Sequence, residues 1–138
     1  KDTFAQRQRN HTHTTPMGEF RDRKIKSIYD AIENGQHNQA MRLCDKKEIC
    51  DLDIVRALRS VALARQGYRG EALSLCREVM ATQPKEEDVI SALSTSLKSC
   101  NSYNDLLVLY QNYAKYHIND LTINKEIFNC AVILNNYL

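Results

Sequence analysis

The fold is decided by the stretch Asp53 to Pro84, DIVRALRSVALARQGYRGEALSLCREVMATQP. Its first half places Ile54, Val55, Ala57, Leu58, Val61, Ala62 and Leu63 at i, i+3, i+4, i+7 spacing, which predicts a helix over about Asp53–Gln66. Asp53 is positioned to cap that helix, and Gly67 to supply the left-handed residue that ends it. A second helix then opens at Arg69 or Gly70. Ala72 is small because two helices must approach closely just past a tight turn, and Leu73, Leu75, Cys76, Val79 and Met80 continue the inward face. Pro84, which cannot donate a backbone N–H, stops the second helix. The whole stretch reads as two antiparallel helices joined by a glycine turn.

Outward from that stretch the pattern recurs. Gly35 with Ala40, Gly67 with Ala72, and Asn101 with Leu106 align at offsets of 32 and 34 residues. That spacing is the length of a two-helix unit and resembles the tetratricopeptide repeat (TPR), whose period is 34. The expected fold is therefore all-α: a TPR-like α-solenoid of antiparallel helix pairs, about three and a half repeats, over residues 21–52, 53–86, 87–120 and, in part, 121–138. In the first unit, Ile25, Ile28, Tyr29 and Ile32 mark a helix over about Arg23–Asn34; Ala40, Met41, Leu43 and Cys44 mark its partner over about Asn38–Lys47. The third unit runs about Glu87–Ser99 and Tyr103–Tyr116, with an unusually apolar second helix that includes Leu106, Val108, Leu109, Tyr110, Tyr113 and Tyr116. A last helix over about Ile123–Tyr137 has no partner; either it caps the stack or a longer polypeptide covers it, and the stripe that stays apolar to the last residue favours the second. Gly35, Ala40, Gly67, Ala72 and Pro84 are the repeat-defining residues.

Composition agrees with this reading. Four Gly and two Pro in 138 residues are too few for the many tight turns of a β sandwich or barrel. No run approaches a membrane-spanning length and no signal peptide opens the chain, which predicts a cytoplasmic protein without a membrane partner. The five cysteines, 44, 50, 76, 100 and 130, are odd in number and lack C-x-x-C spacing, so reduced, partly buried thiols are expected rather than disulfides or a zinc site. The formal net charge of +2 conceals an asymmetry. Lys1–Lys26 holds seven basic and three acidic residues, leaving 12 basic against 14 acidic in the remainder. Residues 1–20 read as a flexible polar and basic tail.

No catalytic constellation emerges. His11 and His13 lack further metal ligands around them, His37 and His117 sit at helix ends, and nothing orients a cysteine as a nucleophile. Gly67-Tyr68-Arg69-Gly70 follows a helix, not a strand, and has neither dinucleotide nor acetyl-CoA loop spacing. No metal or cofactor is expected in the chain, and no DNA partner. Two surface features suggest contacts. Arg21, Arg23, Lys24 and Lys26 open a helix against the preference of its dipole, a placement that suits a polyanion or ribosome contact. Lys125 and Asn129, an i, i+4 pair, stand where co-chaperone TPRs clamp a peptide carboxylate.

Three stretches carry a closer resemblance: Ile28-Tyr29-Asp30 with Glu33-Asn34-Gly35 and Ala40; Ala57-Leu58 with Ala64-Arg65-Gln66-Gly67 and Glu71-Ala72; and Glu78-Val79 through Pro84 to Ser91-Ala92-Leu93. Together they resemble the start of the auxiliary subunits of the N-terminal acetyltransferase B (NatB) complex, over about Arg23–Tyr116. Lys24, Arg56 and Ile90 stand where TPR units usually hold a large residue at position 4. The resemblance implies a non-catalytic scaffold, not an enzyme in itself, that wraps a catalytic subunit of the GNAT fold and helps place it at ribosomal nascent chains. Acetyl-CoA would then sit in the catalytic partner, and the modified proteins would begin Met-Asp, Met-Glu, Met-Asn or Met-Gln. The related NatA auxiliary subunits, and peptide-binding adaptors of the co-chaperone class, are the alternatives.

Overall fold

The computed structural model describes residues 16–117 and 119–136, as seven α-helices with no strand among them. In chain order these are α1 (Pro16–Glu33), α2 (His37–Cys44), α3 (Asp53–Arg65), α4 (Arg69–Ala81), α5 (Glu87–Ser99), α6 (Tyr103–Ala114) and α7 (Leu121–Asn136). Successive helices pair as α1/α2, α3/α4 and α5/α6, and α7 packs on α6. The all-α TPR-like solenoid expected from the sequence is the observed architecture.

The same backbone device closes each pair. Gly35 and Gly67 have φ of +75° and +90°, and Asn101 takes the equivalent place at +56°. At the second pair, Tyr68 N–H donates to the Leu63 carbonyl at 2.9 Å and Gly67 N–H to the Ala64 carbonyl at 3.1 Å. The other two pairs repeat this through Gln36 to Ala31 and Ser102 to Leu97, at 2.8 and 3.0 Å. Crossed bonds of this kind satisfy the last carbonyls of a helix, and they require a left-handed residue just past its end. A fourth positive φ, +53° at Gln83, falls just before Pro84, where α4 hands over to the next unit.

The core is one continuous cluster running from Ile25 to Cys130. Ala40 and Ala72 are fully buried, as close approach after each turn requires. Between the first helices of the second and third pairs the contact is partly polar. Ser96 Oγ on α5 donates to the Ser60 carbonyl on α3 at 3.1 Å, Cys76 Sγ on α4 donates to Ser96 Oγ at 3.3 Å, and all three residues are inaccessible to solvent. Small hydroxyl side chains let α3 and α5 approach closely while leaving those donors satisfied.

Helix boundaries differ from the sequence reading at several ends. Helix α1 begins at Pro16, well before the expected Arg23, and so includes residues 16–20 assigned to the tail. A proline fits the first helical position because its missing N–H has no intrahelical partner to lose. Helix α6 stops at Ala114, short of Tyr116, and α2 stops at Cys44. Asp53 is not the cap expected of it: Leu52 holds that position with no side-chain bond, and the Asp53 carboxylate lies 3.8 Å from Arg56 and accepts from Thr82 Oγ1 at 3.2 Å.

Candidate functional site

A cleft of about 620 Å³ lies where α5, α6 and α7 meet, and residues near the ends of α1 and α3 reach it. Its wall takes Glu33 from the end of α1, Arg65 from α3, Glu87 and Lys98 from α5, Tyr110 from α6 and Glu126 from α7. Lys98 Nζ lies 3.5 Å from Glu126 Oε2. The two side chains link α5 to α7 across the cleft. Tyr110, only 4% exposed, stands beside Ser94, Lys98 and Glu126. Burial pushes its phenol up from the ordinary range, and the hydrogen bond with Ser94 and the charge of Lys98 oppose that shift.

The residues singled out from the sequence fall in different places. Arg21, Arg23 and Lys26 are exposed on α1. At 100° per residue they do not share one face: Arg23 and Lys26 stand about 60° apart, whereas Arg21 points roughly 140° from Lys26. Lys24 is engaged within the fold, 3.8 Å from Glu48 Oε1 and 4.7 Å above the Phe20 ring. That engagement helps hold the Glu48 carboxyl below its ordinary range, after the larger effect of a backbone hydrogen bond. Lys125 and Asn129 are both exposed on α7, and neither lines the cleft. Gly35, Ala40, Gly67, Ala72 and Pro84 all lie at helix junctions or closest approaches, as described above. The cleft residues were not singled out from the sequence. They come from separate helices, and only the stacking brings them to one cleft.

The described residues form no cluster of three or more His, Cys, Asp or Glu able to hold a metal. His11 and His13 lie outside the described residues. His117 stacks on the Tyr113 ring at a centroid distance of 4.1 Å, and His37 is the first residue of α2. The cysteines are reduced; Cys44, Cys76, Cys100 and Cys130 are buried and Cys50 half-buried. Burial pushes the Cys44 thiol up to about 12 and raises those of Cys76, Cys100 and Cys130. A thiol so shifted is protonated at neutral pH and is a poor nucleophile. No helix among the described residues is long and apolar enough to cross a membrane.

Comparison with known proteins agrees with this geometry. The family model for the Psidin N-terminal TPR repeats region matches residues 22–138. Over 118 residues the chain is 27% identical to N-alpha-acetyltransferase 25, NatB auxiliary subunit, from Rattus norvegicus and to the protein of the same name from Homo sapiens; each match covers 84% of this chain and 12% of the relative. It is 24% identical over 118 residues, with the same coverage, to the Phagocyte signaling-impaired protein of Drosophila pseudoobscura pseudoobscura. The chain thus spans about an eighth of the length of these relatives, 12% in each case. The stacked helix pairs, with their glycine or asparagine turns, and the family match over nearly all described residues place the chain in the Psidin N-terminal TPR repeats region family.

Proposed function

We propose that the chain is part of a non-catalytic scaffold, the auxiliary subunit of a NatB-like N-terminal acetyltransferase complex. In this reading it contributes stacked helix pairs to a larger solenoid that holds a catalytic GNAT-family subunit in the cytoplasm and helps position it at ribosomal nascent chains. The observation that carries the reading is the match across 84% of the chain to proteins named as NatB auxiliary subunits. Two structural facts support it. Continuous stacking with an exposed apolar face at α7 suits a segment of a long scaffold. Burial also raises the thiols of Cys44, Cys76, Cys100 and Cys130, which makes them poor nucleophiles, and in this reading chemistry and acetyl-CoA are left to the partner.

Arg21, Arg23 and Lys26 remain the residues proposed for the ribosome contact; Lys24, already paired with Glu48, contributes less. Affinity purification of the full polypeptide from its own cells tests the scaffold reading. Recovery of a GNAT-family subunit is expected, and its loss should lower N-terminal acetylation of proteins beginning Met-Asp, Met-Glu, Met-Asn or Met-Gln. Recovery of chaperones through their acidic C-termini, without an acetyltransferase, would replace this reading with the adaptor one.

A further inference from the structure

A second, smaller pocket shares Ile90 and Tyr113 with the cleft and lies where the end of α4, the start of α5 and the end of α6 meet. Its volume is about 50 Å³. That exceeds the roughly 15 Å³ that one water needs and falls far below the several hundred, about 300 or more, of a small-molecule site. It is space for one side chain. The lining is apolar: Met80 ends α4, Pro84 follows it, Ile90 comes from α5, Leu109 and Tyr113 from α6, and Tyr116 from just past α6. Ile90, Leu109 and Tyr113 are buried, whereas Tyr116 is 54% exposed and carries the apolar surface outward. At helical spacing Val108, Asn112 and Lys115 share an arc of about 60°. Val108 is 47% exposed, so the apolar surface extends from the pocket along the outer face of α6.

The charges beside this pocket have one sign. Lys115 lines it, and Lys85 Nζ stands 4.4 Å above the Tyr116 ring. Neither ammonium pairs with a carboxylate among the described residues. No carboxylate lines the pocket either: Glu86 and Glu87 follow Lys85 in sequence, but Glu87 and Asp120 line the cleft instead. The chain past Lys26, by contrast, holds 12 basic against 14 acidic residues. The pocket is thus a positive spot on a mildly acidic body. Free cations alone would accept any polyanion, and an apolar pocket alone would accept any apolar group. Together they select an aliphatic side chain with carboxylates beside it.

We propose that this pocket docks a short acidic segment of a protein partner, with one Leu or Ile side chain seated against Ile90, Leu109, Tyr113 and Tyr116 and the flanking carboxylates paired with Lys115 and Lys85. The surface is separate from Arg21, Arg23 and Lys26 on α1 and from Lys125 and Asn129 on α7, and it stands independently of the scaffold reading.

The test is fluorescence anisotropy on the full polypeptide with three short labelled peptides. One alternates Glu and Ser around a central Leu, the second has Ser in place of that Leu, and the third has Lys in place of each Glu. The first binds. Loss of its Leu weakens binding roughly tenfold, as removal of one buried aliphatic side chain requires. The basic peptide does not bind. Tyr116→Ala, at an exposed site, weakens the leucine peptide several-fold without a change in the thermal melt and leaves the serine peptide unaffected. Lys85→Gln with Lys115→Gln weakens both acidic peptides roughly fivefold, from the loss of two exposed charge contacts, and flattens their salt dependence. Lys125→Gln, exposed on α7, changes neither. Absence of binding, equal affinity for the leucine and serine peptides, equal affinity for the acidic and basic ones, or unaltered affinity in the tyrosine and lysine variants overturns the proposal. Recovery of a GNAT-family subunit is scored separately: its loss with peptide binding intact rejects the scaffold reading, whereas peptide failure with recovery intact rejects the pocket.

Discussion

Helices α3 and α7 hold the same place in their repeats, one in the middle of the stack and one at the end of the described chain. Their apolar residues meet different surroundings. In α3, Ile54, Val55, Ala57, Leu58, Val61, Ala62 and Leu63 are all buried, because α4 covers one flank while α5, α2 and α1 cover the others. In α7, Cys130 is buried and Ile123 and Ile127 pack partly against the core through the contact with α6. Leu121, Phe128 and Val132 are 79%, 68% and 41% exposed. Phe128 occupies the repeat position held by Ser60 and Ser94, both of which are buried. The difference teaches that burial in this fold comes from stacking: a first helix has two apolar flanks, and each needs its own neighbour.

The largest expected effect tests that contrast directly. Leu93→Ala, at a fully buried site on α5, should cost about 2–5 kcal/mol in urea unfolding, from lost transfer energy and the cavity left behind. Phe128→Ala should change stability by no more than about 0.5 kcal/mol despite removing a larger side chain. Equal costs at the two sites would abolish the distinction between stacked and unstacked flanks.

The turns sharpen the comparison through opposite signs at equivalent positions. A Cβ added at Gly67 meets nothing within 4 Å, so the whole penalty of Gly67→Ala is the left-handed backbone at φ +90°. It should destabilise by about 1–2 kcal/mol. Asn101→Gly, where φ is +56°, should instead be neutral or stabilising by a few tenths, roughly 0.5 kcal/mol at most, since the left-handed strain that glycine relieves is partly offset by the unfolded-state entropy it adds. Destabilisation at Asn101 comparable to that at Gly67 would show that the two turns are not equivalent.

A further effect belongs to the α3/α5 contact. Ser96→Ala removes the donor to the Ser60 carbonyl and the acceptor of the Cys76 thiol, and should cost about 1 kcal/mol. A neutral outcome would mean that apolar packing alone holds those helices together.

The smallest effect is a pH dependence. The Asp105 carboxyl is partly buried, which raises its pKa. The Arg77 guanidinium at 3.0 Å and the Ser102 hydroxyl at 2.6 Å more than offset this and hold it below its ordinary value. Its contribution to stability is therefore complete above the unfolded value, near ~4, and is lost as pH falls through the lower folded value. Asp105→Asn should reduce the loss of stability on acidification below that range, and an unchanged acid limb in thermal melts would count against the assignment.

Much of the fold was legible because its signals are local. Gly67 and Gly35 stand out as left-handed positions in otherwise helical sequence, and Asn101 takes the third such place. The inward stripe of α3 repeats at helical spacing, and Glu87–Ser99 is bounded as expected. Asp53 was misread because a carboxylate at a helix start can pair with Arg56 and Thr82 as readily as it can cap, and the choice depends on where α4 ends. Helix α6 was legible as a helix but not in its orientation. It is apolar nearly all round, and only packing decided that Leu106, Leu109, Tyr110 and Tyr113 face inward while Val108 is exposed.

The candidate site was less legible for the same reason. Arg21, Arg23, Lys24 and Lys26 are consecutive enough to be noticed, yet the helix spreads them around its axis and Glu48 takes up Lys24. Glu33, Glu87 and Glu126 lie far apart in the chain and look like ordinary surface carboxylates there. The sequence by itself determined the helix pairs, their turns and their period, because each depends on residues within one turn or one repeat. The tertiary structure alone decided which side chains share the cleft and which flank of α7 is exposed, because both depend on which neighbours the stacked helices bring together.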